Sequence, residues 1–99
     1  MTRLYFLCCY DVDTTTKEGA RRLRKVAKAC EAYGTRVQKS VFEIAVTEVD
    51  HVKLIKRVTD ILESTTDTFR VYRLPGGFEK SVTVYGVATG DDFEKPLVL

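Results

Sequence analysis

The sequence predicts an α+β domain in which two helices cover one face of an antiparallel sheet, and three observations carry that expectation. Short apolar runs of β-favouring residues alternate with two segments of helical periodicity, in the order strand, helix, extended pair, helix, strand. The strongest turn signal, Pro75-Gly76-Gly77, follows the last of these and precedes one further β-favouring run. A chain of 99 residues, 44% hydrophobic, suits one domain with one core near the lower size limit for folding alone, so association should help it.

Leu4-Tyr5-Phe6-Leu7-Cys8-Cys9-Tyr10 is too short for an isolated helix and forms a strand with both faces apolar. Thr15-x-x-Glu18 offers a capping box, after which Leu23, Val26, Ala27, Cys30 and Tyr33 share one helical stripe until Gly34 stops the helix. Residues 36–46 are extended, with a bend or bulge at 38–40 where a polar run interrupts the alternation. Thr47-x-x-Asp50 caps a second helix carrying Leu54, Val58, Ile61 and Leu62 on one face, and Ser64-Thr65-Thr66-Asp67 forms the loop beyond it. Residues 69–74 are the next strand, and Ser81-Val82-Thr83-Val84-Tyr85 is expected to be a last one.

This order is the split βαβ arrangement of ferredoxin-like domains, βαββαβ with an additional C-terminal strand, over residues 1–86, followed by a tail at 87–99. In such a domain the helices cover one side of the sheet only. The first strand nevertheless has Tyr5, Leu7 and Cys9 on one side and Leu4, Phe6 and Cys8 on the other. A second copy packed sheet to sheet is the expected cover, giving a homodimer.

Charge is unevenly placed. The formal net charge is +2, yet residues 17–39 hold Lys17, Arg21, Arg22, Arg24, Lys25, Lys28, Arg36 and Lys39 against only Glu18 and Glu31. Asp91, Asp92 and Glu94 stand against Lys95 near the end. A basic half suits a polyanionic partner and an acidic tail a protein partner, although a solvated helix face is the commoner meaning of a lysine run. No apolar run is long enough for a membrane span and no leader pattern opens the chain, so a cytoplasmic protein is expected. Cys8, Cys9 and Cys30 fit neither a disulfide framework nor a metal-ligand spacing and should be small hydrophobes in a reducing compartment.

Asp11 is the residue with chemistry to explain. An unpaired carboxylate ending an apolar strand is costly if buried, so it must lie at the sheet's edge or meet a cation. One carboxylate per chain is a poor magnesium site, but a nearby two-fold axis would bring two together. The alternative is a turn residue accepting backbone hydrogen bonds near Val12 and Asp13, with Asp13 a weaker candidate in the same loop. His51, the single histidine, starts the second helix, where a surface position is its default. Gly76-Gly77 is a turn and not a phosphate cradle.

The block Tyr33-Gly-Thr-Arg36-Val-Gln-Lys-Ser40-Val-Phe42-Glu43, with Tyr10-Asp11 and Arg70-Val71-Tyr72-Arg73-Leu74, resembles the CRISPR-associated protein two family over residues 4–86. The resemblance implies small ferredoxin-like dimers of the CRISPR adaptation machinery, with the C-terminal strand joining the partner's sheet. It places Asp11 on the metal-binding aspartate, one from each subunit, with Mg2+ as cofactor. It also singles out Arg36, Ser40 and Phe42, of which Arg36 and Phe42 join Tyr10 and Asp11 as candidate catalytic residues, and arginines at the start of the first helix, here Arg21, Arg22 or Arg24. With Lys28 and Arg36 these would bind nucleic acid, duplex DNA or single-stranded RNA. Arg36 suits phosphate binding or a salt bridge to Glu43 or Glu31, Phe42 the core or dimer interface, and Tyr10 the core with its hydroxyl on a partner.

Three functions follow: a magnesium-dependent endonuclease, an architectural dimer bridging the integrase (CRISPR-associated protein one) during spacer acquisition, or a non-catalytic ferredoxin-like RNA-binding or oligomerisation module. The first two are expected together. The third lacks the exposed aromatics of RNA-recognition sheets.

Overall fold

Strand register sorts the apolar residues of this chain onto two faces. The computed structural model describes residues 2–87, with β1 (Leu4–Asp11), α1 (Lys17–Glu31), β2 (Gly34–Gln38), β3 (Val41–Val46), α2 (Glu48–Ile61), β4 (Thr68–Arg73) and α3 (Gly77–Ser81). The strands form one sheet in the order β2-β3-β1-β4 with every pair antiparallel. This is the ferredoxin-like arrangement expected from the element order.

Phe6 lies opposite Ile44 and Cys8 opposite Phe42, and all four are buried with Tyr10 and Val46. Val26, Ala29 and Cys30 of α1 and Leu54 and Val58 of α2, all fully buried, close the core from above. The alternate residues Tyr5, Leu7 and Cys9 are half-buried on the other face, beside Ala45, Glu43 and Val41 of β3. There α3 covers only the Tyr5 end, where the Phe78 ring meets Tyr5 edge-on at 5.1 Å. Over the rest of that face no helix lies among the described residues.

Local signals hold with three corrections. Thr47 caps α2 by accepting from the Asp50 amide at 3.3 Å. The α1 cap is Thr16, not Thr15, and it accepts from the Gly19 amide at 3.0 Å. Gly34 is not the left-handed stop of α1: the helix ends through Ala32, and Gly34 opens β2. Its lack of a side chain serves close approach instead, because a Cβ there would abut the Glu43 carbonyl and lie 2.7 Å from Ile44 Cγ1. Gly34→Ala should therefore separate β2 from β3 and lower Tm by about 5–15 °C, as overpacking by roughly 1–3 kcal/mol would. Thermal denaturation followed by circular dichroism checks this, and an unchanged Tm rejects the close-approach account.

The third correction concerns the C-terminal strand. Gly77, at φ 76°, makes the predicted turn, but the chain then enters α3 and Ser81 is helical. Residue Val82 is extended at φ −123° and ψ 127°, yet residues 82–85 join no strand among the described residues. A strand that completes a neighbouring subunit's sheet has no partner within one chain. Val84 and Tyr85, 48% and 75% exposed, are left uncovered. Of the tail expected at 87–99, residues 88–99, including Asp91, Asp92 and Glu94, lie outside the described residues.

Candidate functional site

The site begins where β1 leaves the sheet. Asp11 is its last residue, opposite Thr68 of β4, and is exposed on the bare face in line with Tyr5, Leu7 and Cys9. Among the described residues its carboxylate takes part in no hydrogen bond and no ion pair. The turn role that sequence left open for Asp11 belongs to Asp13. Asp13 Oδ1 accepts from the Thr15 amide at 2.9 Å and the Thr15 hydroxyl at 2.7 Å, and these bonds hold its carboxyl below the usual range.

The loop following Asp11 is fixed to α1 and to the turn beyond α2. Asp67, whose side chain is fully buried, accepts from the Asp13 amide at 3.1 Å and the Glu63 amide at 2.9 Å. It also receives Arg22 Nε at 2.8 Å and the Thr66 hydroxyl at 3.0 Å. Arg22 foremost, then the two amides and the hydroxyl, hold this carboxyl far below the usual range against the opposing effect of burial. The loop also rests directly on α1: a Cβ at Gly19 would collide with the Asp13 carbonyl. Asp67 escaped the sequence reading, since in Ser64-Thr65-Thr66-Asp67 it looks like any polar loop residue. No local signal tells that the fold seals it.

This clip corrects the role expected of Arg22, whose guanidinium is committed to Asp67 and is not free for phosphate. Arg21, Arg24 and Lys28 remain exposed on α1. Arg36 stacks over Phe42 at 5.2 Å and pairs with Glu31 at 3.4 Å, one of the two partners the sequence offered. Exposed as that pair is, it holds Arg36 weakly.

Tyr10 and Phe42 do not share a face with Asp11. Both are buried on the helix side, their rings 6.1 Å apart, and the Tyr10 hydroxyl donates to the Lys39 carbonyl at 3.4 Å. The structure therefore gathers Tyr10, Phe42 and Arg36 into one cluster and leaves Asp11 on the other side of the sheet. Alternation along β1 makes this unavoidable, because neighbouring residues point to opposite faces. Within one chain Tyr10 and Phe42 are core residues and not groups that touch a reacting phosphate. Ser40 contributes its carbonyl, accepting from the Tyr10 amide at 3.1 Å and holding the β3 turn against β1.

His51 is not the surface residue expected; it stacks on Phe6 with ring centroids 4.1 Å apart, and burial pushes its pKa down. The cysteines behave as small hydrophobes. Burial pushes the Cys8 thiol up to about 12 and the Cys30 thiol up to about 11, so neither is a thiolate at neutral pH.

Among the described residues no group of three potential ligands is placed to hold a metal ion. At the end of β1 one chain offers one carboxylate, Asp11, with no partner among the described residues. Hard oxygen chemistry of this kind fits magnesium, which takes one or two carboxylates and completes its shell with water.

The family question is decided by similarity. The family model described as CRISPR associated protein Cas2 matches residues 4–81. The chain belongs to the Cas2 family. A Cas2 relative from Moorella thermoacetica, named a CRISPR-associated endoribonuclease, is 45% identical over 97% of this chain and all of its own length. Another from Halalkalibacterium halodurans, named a CRISPR-associated endonuclease, is 41% identical over 93% of this chain and 96% of its own. The crystal structure of Streptococcus pyogenes Cas2 superposes with a TM-score of 0.74 at 44% identity, covering 83% of this chain and 99% of that one. The fold expected from the strand and helix order is therefore the fold of Cas2 proteins. The matched span stops at Ser81, where α3 ends.

Proposed function

We propose that this Cas2-family chain acts in CRISPR adaptation as a homodimer that binds nucleic acid, bridges the integrase CRISPR-associated protein one, and hydrolyses phosphodiesters with magnesium at Asp11. The observation carrying the reading is the placement of Asp11: a carboxylate without a partner among the described residues, at the end of an apolar row, on the face where α3 covers only the far, Tyr5 end. Sheet-to-sheet pairing through Tyr5, Leu7 and Cys9 would cover that row and bring two Asp11 carboxylates toward one axis.

The two Asp11 side chains would hold magnesium. When bound, it supplies a water of lowered pKa and stabilises charge on the phosphoryl oxygens. This chain's own contribution is positional: Asp67, Arg22 and the Gly19 contact keep the loop after β1 from drifting, so Asp11 meets its symmetry mate without reordering. Arg21, Arg24, Lys28 and Arg36 would meet phosphates of duplex DNA or single-stranded RNA. The acidic tail at 91–95 would dock on the integrase. No helix among the described residues is long and apolar enough to cross a membrane.

A second reading, the dimer as a non-catalytic platform, is favoured by the burial of Tyr10 and Phe42 away from Asp11. Titrating magnesium against cleavage of labelled single-stranded RNA and duplex DNA separates the two. Metal-dependent cleavage by a sedimenting dimer is expected. A dimer that binds both substrates and cuts neither leaves the platform alone, and a monomer at micromolar concentration sinks both.

A further inference from the structure

We infer that the groove between α1 and α2 is a nucleic-acid track that takes the phosphates of a single strand at Lys25, Lys28 and Arg57. The groove, of about 420 Å³, is lined by these three cations with Asp60 and Ile61. It continues past Lys25 to Arg21. Arg21, Lys25 and Lys28 follow one another at four- and three-residue spacing, so they form one stripe on α1 about 10 Å long. Arg57 faces them from α2.

Pairing within the protein does not account for these charges. Ion pairs among the described residues join Arg22 to Asp67, Arg36 to Glu31 and Lys56 to Asp60. Asp60, a carboxylate lining the groove, pairs with Lys56 at 3.1 Å, and among the described residues no ion pair engages Lys25, Lys28 or Arg57, so cations outnumber carboxylates there. Three like charges around one groove repel one another, and an anion relieves that repulsion. A phosphodiester chain suits the site better than an acidic peptide. It carries one charge per nucleotide with no opposite sign between, and its phosphate matches the guanidinium fork of Arg57. A docked peptide would draw its affinity from apolar anchors in pockets, and among the described residues Ile61 is the one apolar side chain lining the groove.

The position has a consequence. The groove lies on the helix side of the sheet, and Asp11 lies on the other. A strand held by Lys25, Lys28 and Arg57 is therefore not the strand that meets Asp11, and binding there is separable from cleavage.

This inference rests on the nucleic-acid reading above, and the test distinguishes the two. Fluorescence anisotropy with a labelled single-stranded DNA oligonucleotide, in chelator without magnesium, compares the full chain with the triple variant Lys25→Gln, Lys28→Gln, Arg57→Gln. A control triple, Lys17→Gln, Lys53→Gln, Lys80→Gln, removes equal charge outside the groove. The groove variant should bind at least about tenfold more weakly, and its slope of log K against log salt should flatten by about 2, at roughly 0.7 per phosphate lost. The control should keep most of the affinity and the slope, with both circular dichroism spectra unchanged. Equal weakening by the two triples, or wild-type affinity in the groove variant, overturns the track while leaving nucleic-acid binding intact. More effective displacement by polyglutamate than by unlabelled oligonucleotide of equal charge assigns the groove to a protein partner and overturns it too. A wild-type chain that binds no nucleic acid removes both readings together.

Discussion

Asp11→Asn is expected to lower magnesium-dependent phosphodiester cleavage by on the order of a thousandfold or more while leaving the fold intact. The substitution keeps size and shape but removes one negative charge per subunit from an exposed side chain that has no partner among the described residues. Metal-activated water and charge stabilisation supply factors of this order, so losing the ligand loses them together. Dimerisation should persist and, without metal, strengthen, because two facing carboxylates no longer repel. Spacer integration with the partner measured on the same variant divides the functions. Lost cleavage with retained integration makes the dimer a scaffold with a separate nuclease activity, and loss of both makes Asp11 part of adaptation itself. Full cleavage by the variant removes Asp11 from the active site.

The sheet and helices were legible because each is specified locally. Thr47 caps α2 where the motif lies, the stripe from Val26 to Cys30 buries as its spacing demands, and the polar run at 38–40 breaks the extended pair into β2 and β3. Asp11 was legible as an oddity, a charge ending an apolar run, and the alternation of β1 then decided its face. The same alternation placed Tyr10 away from it, a conclusion available from sequence that the grouping of Tyr10, Arg36 and Phe42 with Asp11 passed over. What stayed hidden depends on distant partners. Arg22 looked like any member of a basic helix until Asp67, 45 residues on, took its guanidinium. Gly34 looked like a helix stop because its real constraint, the backbone of Glu43, lies on another strand. Residues 81–85 have strand composition, but composition cannot say whether the neighbouring strand belongs to the same chain.

Asp67→Asn is expected to be the most destabilising single-atom change in the described structure, and its effect should depend on pH. The buried carboxylate accepts from Arg22, two amides and a hydroxyl. An amide in its place loses the charge and turns one acceptor into a donor facing donors. Breaking a buried, hydrogen-bonded ion pair costs roughly 3 kcal/mol, which lowers Tm by on the order of 10–20 °C for a domain of this size. The folded carboxyl titrates below the unfolded one, so its contribution is complete above about pH 5 and is lost as pH falls through the unfolded value near 3.9 toward the lower folded value. Asn does not titrate. The Tm gap between wild type and variant should therefore be widest near neutrality and narrow steadily below about pH 4. Calorimetry across that range checks it, and a gap that stays constant into acid would show that Asp67 acts through shape alone. Because the Asp13 amide loses its acceptor in the same variant, the loop after Asp11 should loosen as well, seen as faster amide exchange at Asp13 than at Cys8 or Ile44 in the sheet.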